Sequence, residues 1–166
     1  MYQVGDYVVY KWNVCKIVEL RDNSMNGIAS YSMRPIDDES LKIDIPVQNG
    51  EALLRKLMTK EEIEALIQKI PDLPILDVNQ KTLETDYRNL MKSGSHEDLI
   101  TIIKTTYSRN QERMLNRKRP GDKDSFYLEQ AENYLYHEIR MVLGISYEEA
   151  KQYVIDAVES LRTLET

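Results

Sequence analysis

The sequence predicts an α+β protein in which a small, strongly curved β-sheet or open barrel precedes a compact all-α helical bundle. Two patterns carry this prediction. Up to Val47, short segments alternate apolar and polar residues with a period of two, which is typical of strands with one buried face. Beyond Gly50, apolar residues recur with a period near 3.6, which is typical of helices with one buried face.

Four β-rich segments make up the predicted sheet. Turn-forming pairs, Gly5-Asp6 and Asn26-Gly27, supply turns for this part of the chain. Cys15 lies in the second segment, and a small apolar core residue is the expected role for it. The four segments span residues 4–10, 14–17, 31–34 and 41–47.

The first helix is predicted after Thr59, because Thr59-Lys60-Glu61-Glu62 has the form of a capping box. Pro71 ends this helix, and with Pro74 it makes the segment 71–77 a stiff linker. We therefore divide the chain into a β-rich domain over residues 1–52, a helix and linker over 53–80, and a helical domain over 81–166.

Four further helices are predicted in the helical domain. The first ends at Ser93-Gly94, Ser95 begins the second, Gly144 ends the third, and Ser146 caps the last. Short connections between them predict a compact bundle. Its inner faces are expected to include Leu83, Tyr87, Leu99, Ile102, Ile103, Met114, Leu128, Ala131, Leu135, Ile139, Ala150 and Val154.

Composition narrows the possible classes of protein. The chain has 166 residues and is 42% apolar, which is enough for a real core. We find no apolar run of 18 residues and no signal-like start, so neither membrane insertion nor secretion is expected. A single cysteine fits a reducing, cytoplasmic compartment.

Few side chains are suited to catalysis. The two histidines, His96 and His137, lie in a capping segment and within a helix, and both are expected to be surface or capping residues. One cysteine and two distant histidines do not match zinc-site spacing, and the sequence has no Gly-rich phosphate loop or nucleophile elbow. We expect no enzyme activity, no cofactor and no metal.

Charge is unevenly distributed along the helical domain. The whole chain has a net charge of −6, but residues 104–123 hold seven basic residues against two acidic ones, a net +5. Residues 124–166 hold three basic residues against nine acidic ones. The basic residues are Lys104, Arg109, Arg113, Arg117, Lys118, Arg119 and Lys123.

This basic segment has two interpretations. Arg109 and Arg113 are spaced at i and i+4, so both could leave one helix face and contact successive phosphates. Arg117-Lys118-Arg119, followed by Pro120-Gly121, would form a basic loop beside them. Alternatively, the segment is a solvated charged face that balances the acidic helices.

The ordered segments resemble the CarD/CdnL family of bacterial RNA polymerase-binding transcription regulators, whose N-terminal domain also occurs in transcription-repair coupling factor. The resemblance is strongest in the sheet part and looser in the helical part, and it covers roughly residues 1–143. The matching stretches are Val4-Gly5-Asp6-Tyr7-Val8-Val9-Tyr10, Ile43-Asp44-Ile45-Pro46-Val47, Leu53-Leu54-Arg55, Lys92-Ser93-Gly94, Arg109-Asn110-Gln111-Glu112-Arg113 and the segment Ala131 to Glu138.

The resemblance implies a Tudor-like N-terminal domain that docks on the polymerase β subunit by edge-strand pairing. The candidate edge is the strand 31–36 with its neighbour 42–45; the alternative is a strand buried inside the barrel. The implied partners are the β subunit and promoter DNA, contacted at its backbone and minor groove, with no membrane and no small-molecule substrate. The candidate polymerase-binding residues are Tyr31, Met33, Arg34, Lys42, Asp44 and Pro46, and the candidate DNA-binding residues are the seven basic residues above.

Three departures from the family pattern leave a second hypothesis open. No Trp occurs over residues 75–85, where relatives carry a wedge into the minor groove, and Tyr87 has the spacing of a core residue. Asp44 stands where some relatives are basic, and residues 116–120 form an apparent insertion. The missing Trp, Asp44 and the acidic C-terminal helices favour a protein-only adaptor that binds polymerase or another protein without DNA contact.

Overall fold

The chain folds as an α+β protein, with a sheet followed by helices, as the sequence predicted. The computed structural model describes residues 1–23 and 28–165, so the predicted Asn26-Gly27 turn lies outside the described residues. Two compact units are present, Met1–Met58 and Thr59–Thr166. The boundary between them falls inside the segment 53–80 that the sequence set apart as a helix and linker.

The first unit is an antiparallel five-stranded sheet that curls into a half-barrel. A short helix, α1 (Val47–Gly50), follows the fourth strand. The spatial order is β4-β3-β2-β1-β5, which makes β4 and β5 the two edges. The strands are β1 (Tyr7–Tyr10), β2 (Asn13–Asn23), β3 (Ile28–Pro35), β4 (Ile43–Pro46) and β5 (Leu54–Arg55).

The concave face of the sheet encloses a small apolar core. Alternate residues supply it, because successive side chains of a strand point to opposite faces. Cys15 is fully buried there, which confirms its predicted role, and burial raises the pKa of its thiol to about 11. A register shift between Ile17 and Glu19 marks a bulge in β2. The core side chains are Val8, Cys15, Ile17, Tyr31, Met33, Ile45 and Leu54.

The β1–β2 hairpin turns at two residues that are unusual for this position. Lys11 and Trp12 both have positive φ, at 46° and 71°. Two positive φ values are the signature of a type I′ turn, which matches the twist of the flanking strands but usually takes Asn or Gly. The guanidinium of Arg55, in β5, lies 5.5 Å from the centre of the Trp12 ring. This cation–π contact ties the turn to the edge strand beside it.

The second unit is built from five helices of ten or more residues. Two of its predicted caps are confirmed: Thr59 and Glu62 form a capping box at the first helix, and Ser146 and Glu149 exchange the same pair of bonds at the last. Ser95 is the N-cap residue of the third helix, but its hydroxyl donates to Glu97 Oε2 and makes no capping bond. Gly144, at φ 68°, ends the fourth helix. The helices are α2 (Lys60–Lys69), α3 (Leu83–Lys92), α4 (His96–Leu115), α5 (Asp122–Leu143) and α6 (Tyr147–Glu165).

The inner faces of these helices follow the predicted pattern with one exception. Leu83, Leu99 and Ile139 are buried as expected, but Met114 is 72% exposed. The prediction for Met114 was wrong because, in the last turn of α4, Arg113 is the residue that contacts α5, and Met114 beside it is exposed to solvent. No helix among the described residues is long and apolar enough to span a bilayer.

Candidate protein-binding and nucleic-acid-binding surfaces

The edge strand β4 is the accessible part of the predicted polymerase-binding surface. It pairs with β3 alone, through Tyr31↔Ile45 and Met33↔Ile43, and no other described strand pairs with it. Ile45 turns into the core, whereas Asp44 and Pro46 of β4, and Lys42 just before it, are exposed. These side chains therefore flank the edge of β4 that faces away from β3, where the backbone N–H and C=O groups of β4 pair with no described strand.

The other half of the predicted edge is wrong, because β3 is an interior strand that pairs with both β2 and β4. Tyr31 and Met33 are fully buried on its inward face. The Tyr31 hydroxyl donates to Glu51 Oε1 at 2.8 Å and accepts from the backbone N–H of Tyr2 at 3.1 Å. For Tyr31 and Met33 the alternative interpretation, a strand buried inside the barrel, is therefore correct. Both side chains pack in the core and are not accessible to a partner.

Arg34 has a local structural role. Its guanidinium donates to the backbone carbonyl of Glu39 at 2.6 Å, which holds the connection between β3 and β4. Ser40 donates to Asp38 Oδ1 through both its hydroxyl and its backbone N–H in the same connection. Together these bonds fix the approach of the chain to β4, so Arg34 positions the edge strand.

The centre of the predicted DNA-binding surface is instead a buried ion cluster around Asp124, in the first turn of α5. Its carboxylate is fully buried and accepts from Arg109 Nε at 3.1 and 3.2 Å and from the Tyr87 hydroxyl at 2.7 Å. Arg113 Nη1 lies 3.4 Å from Oδ2. We call Asp124, Arg109, Arg113 and Tyr87 the Asp124 cluster. Its guanidiniums compensate a carboxylate that would otherwise be buried without a partner.

The cluster also depends on the backbone around it. Arg109 donates to the carbonyl of Val78 at 3.3 Å. A Cβ added at Gly121 would overlap the Arg113 guanidinium, whose Cζ would lie 2.8 Å away, so the glycine provides the space that Arg113 fills. Burial, followed by the bond to Asp124, raises the pKa of Tyr87. Tyr87 is thus a core residue, as its spacing predicted.

Two further predicted DNA-binding residues have partners within the helical unit. Lys104 Nζ donates to the carbonyls of Ile70 and Leu73 at 2.7 and 2.6 Å, closing the end of the α2 segment. Lys123 Nζ lies 3.4 Å from Glu84 Oε2 in an exposed pair. Four of the seven predicted residues, Lys104, Arg109, Arg113 and Lys123, therefore have polar partners in their own unit.

The other three, Arg117, Lys118 and Arg119, are exposed and form what we call the basic loop. The first two residues of the loop complete a Schellman motif at the end of α4. The backbone N–H of Lys118 donates to the carbonyl of Arg113 at 2.7 Å, and the backbone N–H of Arg117 donates to the carbonyl of Met114 at 3.0 Å. Arg117 takes the left-handed position, at φ 57°, where glycine is usual. A hydrogen-bonded turn thus presents the basic loop to solvent.

The two histidines differ from the surface roles expected of them. His96 Nε2 lies 2.9 Å from Oε1 of Glu138, which is 1% exposed, so His96 pairs with a buried carboxylate on another helix. His137 Nδ1 accepts from Arg140 Nε at 3.0 Å. Within residues 1–23 and 28–165, no three His, Cys, Asp or Glu side chains meet in an arrangement that could hold a metal ion.

Sequence reasoning missed a cavity of about 670 Å³ in the helical unit, which we call the α4 pocket. Its walls come from Ile70, Pro71 and Ile75 in the segment that follows α2, and from α4, α5 and α6. Tyr107 and Tyr136 line it, and burial and the charge of Glu132 raise the pKa of Tyr136. Its aliphatic residues, such as Ile100 and Ile103, have ordinary core spacing, so nothing in the sequence distinguishes a pocket wall from a packed core.

Comparison with known proteins adds no assignment. No protein-family model matches the sequence, and no curated protein matches it. The β4 edge, the Asp124 cluster and the basic loop are therefore the features that bear on function.

Proposed function

We propose that this protein is a CarD/CdnL-like transcription regulator that binds the β subunit of RNA polymerase through the β4 edge and contacts promoter DNA through the basic loop. Favourable contacts made only with the opened promoter would stabilise the open complex. No chemical step is required. The resemblance of the sequence segments supplies the partner, and the free edge of β4 is the observation that carries the proposal.

An edge strand suits this role for a physical reason. Its unpaired backbone groups give affinity to any extended segment that adds to the sheet, while alternate side chains set specificity. On β4 those alternate side chains are exposed Asp44 and Pro46, with Lys42 next to them. Their mixed charge fits a partner strand that also carries both signs.

A charge swap on the edge tests polymerase binding. Lys42→Glu with Asp44→Lys keeps the net charge but reverses its pattern, and we expect it to weaken binding of the full chain to polymerase core about tenfold. The matched control is Asp77→Lys with Lys81→Glu, an equivalent swap on exposed residues of the helical unit. Equal affinity of both variants and the native protein would refute docking through β4.

DNA contact through the basic loop has a separate test. Replacing Arg117, Lys118 and Arg119 by Ala should reduce the slope of log affinity against log salt by about 2 to 3 for a fork-junction DNA. Replacing three other exposed cations, Lys60, Lys81 and Lys92, removes the same charge and should leave the slope nearly unchanged.

A second candidate, the protein-only adaptor, is favoured by one observation. Lys104, Arg109, Arg113 and Lys123 are engaged by partners of their own unit, which removes most of the predicted DNA surface. Retained polymerase binding without a salt-sensitive shift of fork-junction DNA would decide for the adaptor and against the DNA half of the first proposal.

A further inference from the structure

Helix α4 carries one continuous side-chain stripe that begins inside the α4 pocket and ends in solvent. Its pocket-lining residues recur at spacings of three and four, and the same spacing continues beyond the pocket to Met114 and Leu115. These two residues, the apolar tip, are 72% and 86% exposed. The pocket-lining positions of α4 are Ile100, Ile103, Lys104, Tyr107, Ser108 and Gln111.

We propose that the apolar tip of one molecule fills the α4 pocket of a second copy, and that the exchange is reciprocal. A projecting pair and a recess lie on the same face of the same helix. Leu115 follows Tyr107 by eight residues, or about 12 Å along the axis. A two-fold axis that sets two α4 helices antiparallel can therefore seat both tips at once, which makes the contact closed and self-complementary.

The register of such a dimer follows from the spacing. If Leu115 of one copy meets Tyr107 of the other, the axis passes near Gln111, which then faces its own equivalent. Its amide can both donate and accept, so two glutamines on an axis can pair with each other. Gln111 is exposed and is the last pocket-lining position of α4 before the tip.

Charge favours the same occupant. The basic loop follows the apolar tip and carries three positive charges. In the antiparallel register it lies opposite residues 103–105 of the second copy, which include Lys104, at the pocket whose wall carries exposed Glu159 and where exposed Asp72 follows pocket-lining Pro71. The ammonium of Lys104 at that end is directed to the carbonyls of Ile70 and Leu73. The inference uses only the helical unit, so it is independent of polymerase binding.

Sedimentation equilibrium of the full chain up to about 1 mM tests this proposal directly. We expect reversible dimers, and Leu115→Lys should raise the dimer dissociation constant at least tenfold. Leu41→Lys is the matched control, because Leu41 is 50% exposed and lies in the sheet unit. A monomer at every concentration, or equal dimerisation of Leu115→Lys and the native protein, would overturn the proposal.

A mixing experiment separates reciprocal exchange from any other use of Leu115. Ser108→Trp, at an exposed position of the pocket wall, should block the recess while leaving the tip intact. Each variant alone should dimerise poorly, but a mixture of Leu115→Lys and Ser108→Trp restores one intact contact and should form heterodimers. If the mixture associates no better than either variant alone, the reciprocal geometry is refuted.

The position of the axis has its own test. With Gln111→Cys, mild oxidation should give a disulfide-linked dimer, because the two thiols would meet at the axis. Ser125→Cys, an exposed residue of α5, should not cross-link under the same conditions. Native Cys15 is buried and does not compete. Equal cross-linking at both positions would contradict the proposed register.

Discussion

Asp124 determines how the basic residues of this protein can be used. Its buried carboxylate pairs with the guanidiniums of Arg109 and Arg113 and accepts a hydrogen bond from the Tyr87 hydroxyl. The two arginines therefore stabilise the folded helical unit and are not available to bind a ligand unless these pairs break. The i, i+4 spacing of the two arginines was visible in the sequence, but their partner was not. Asp124 is brought to them by the turn between α4 and α5, and no local pattern indicates that it is buried.

Asp124→Ala should destabilise the helical unit by about 3 kcal/mol, because two partly buried guanidiniums lose their counter-ion. Arg113→Ala should lower the free energy of unfolding by less than Asp124→Ala does, since Arg109 still pairs with the carboxylate. Urea unfolding of the full chain, followed by helical circular dichroism, measures both. Lys118→Ala serves as the control and should stay within about 0.5 kcal/mol of the native protein. A neutral effect of Asp124→Ala would show that the cluster is not a stabilising element.

Cys15 predicts a loss of stability at high pH. Its thiol has a pKa of about 11 in the folded chain against 9.0 for an unperturbed thiol, so folding favours the neutral form. The contribution of the neutral thiol to the free energy of unfolding is complete below pH 9, and it is lost as the pH rises from 9 to about 11. At pH 10 the loss should be about 1 kcal/mol.

Urea unfolding at pH 8 and pH 10 measures this loss, and Cys15→Ala shows which part belongs to the thiol. Buried tyrosines also oppose ionisation, so the variant should keep part of the decrease. An identical decrease in the native protein and in Cys15→Ala would contradict the assignment to Cys15.

At the scale of elements, the turn between α4 and α5 joins the Asp124 cluster to the basic loop. Gly121 has an ordinary φ of −72°, so alanine there meets no backbone strain. Its added methyl group would instead push the Arg113 guanidinium away from Asp124.

Gly121→Ala should therefore cost about 1–2 kcal/mol of unfolding free energy. In an Arg113→Ala background the same change should cost almost nothing, since the displaced group is absent. A double-mutant cycle by urea unfolding measures this coupling. Strictly additive costs would show that Gly121 acts through something other than Arg113.

Helices were easier to predict than the sheet edge. Capping boxes at Thr59 and Ser146 and the glycine at Gly144 are local signals, because the bonds they make span a few residues. Strand order is not local: β5 returns to pair with β1, and β3 is covered by β4. The sequence therefore predicted β1 to β4 but missed β5, which lies in the segment 53–80 that was assigned to a helix and linker, and it misplaced half of the edge. The Lys11-Trp12 turn lacks the glycine or asparagine that would have indicated it.

At the scale of the whole molecule, the two units would have separate roles in transcription. The sheet unit would hold polymerase through an edge strand, and the helical unit would act on promoter DNA through the basic loop. The change in the apolar period near Gly50 correctly indicated two kinds of structure in one chain. It could not indicate which charges stay available, because that depends on burial and pairing within the folded helical unit.

The lifetime of an open promoter complex, challenged with competitor DNA, tests this division most directly. The full chain should lengthen that lifetime, and each 1.4 kcal/mol of differential contact should do so about tenfold. Both the Lys42→Glu, Asp44→Lys variant and the triple alanine variant of the basic loop should lose the effect, the first by failing to bind polymerase and the second while still bound. An open complex whose lifetime the native protein leaves unchanged would contradict the account.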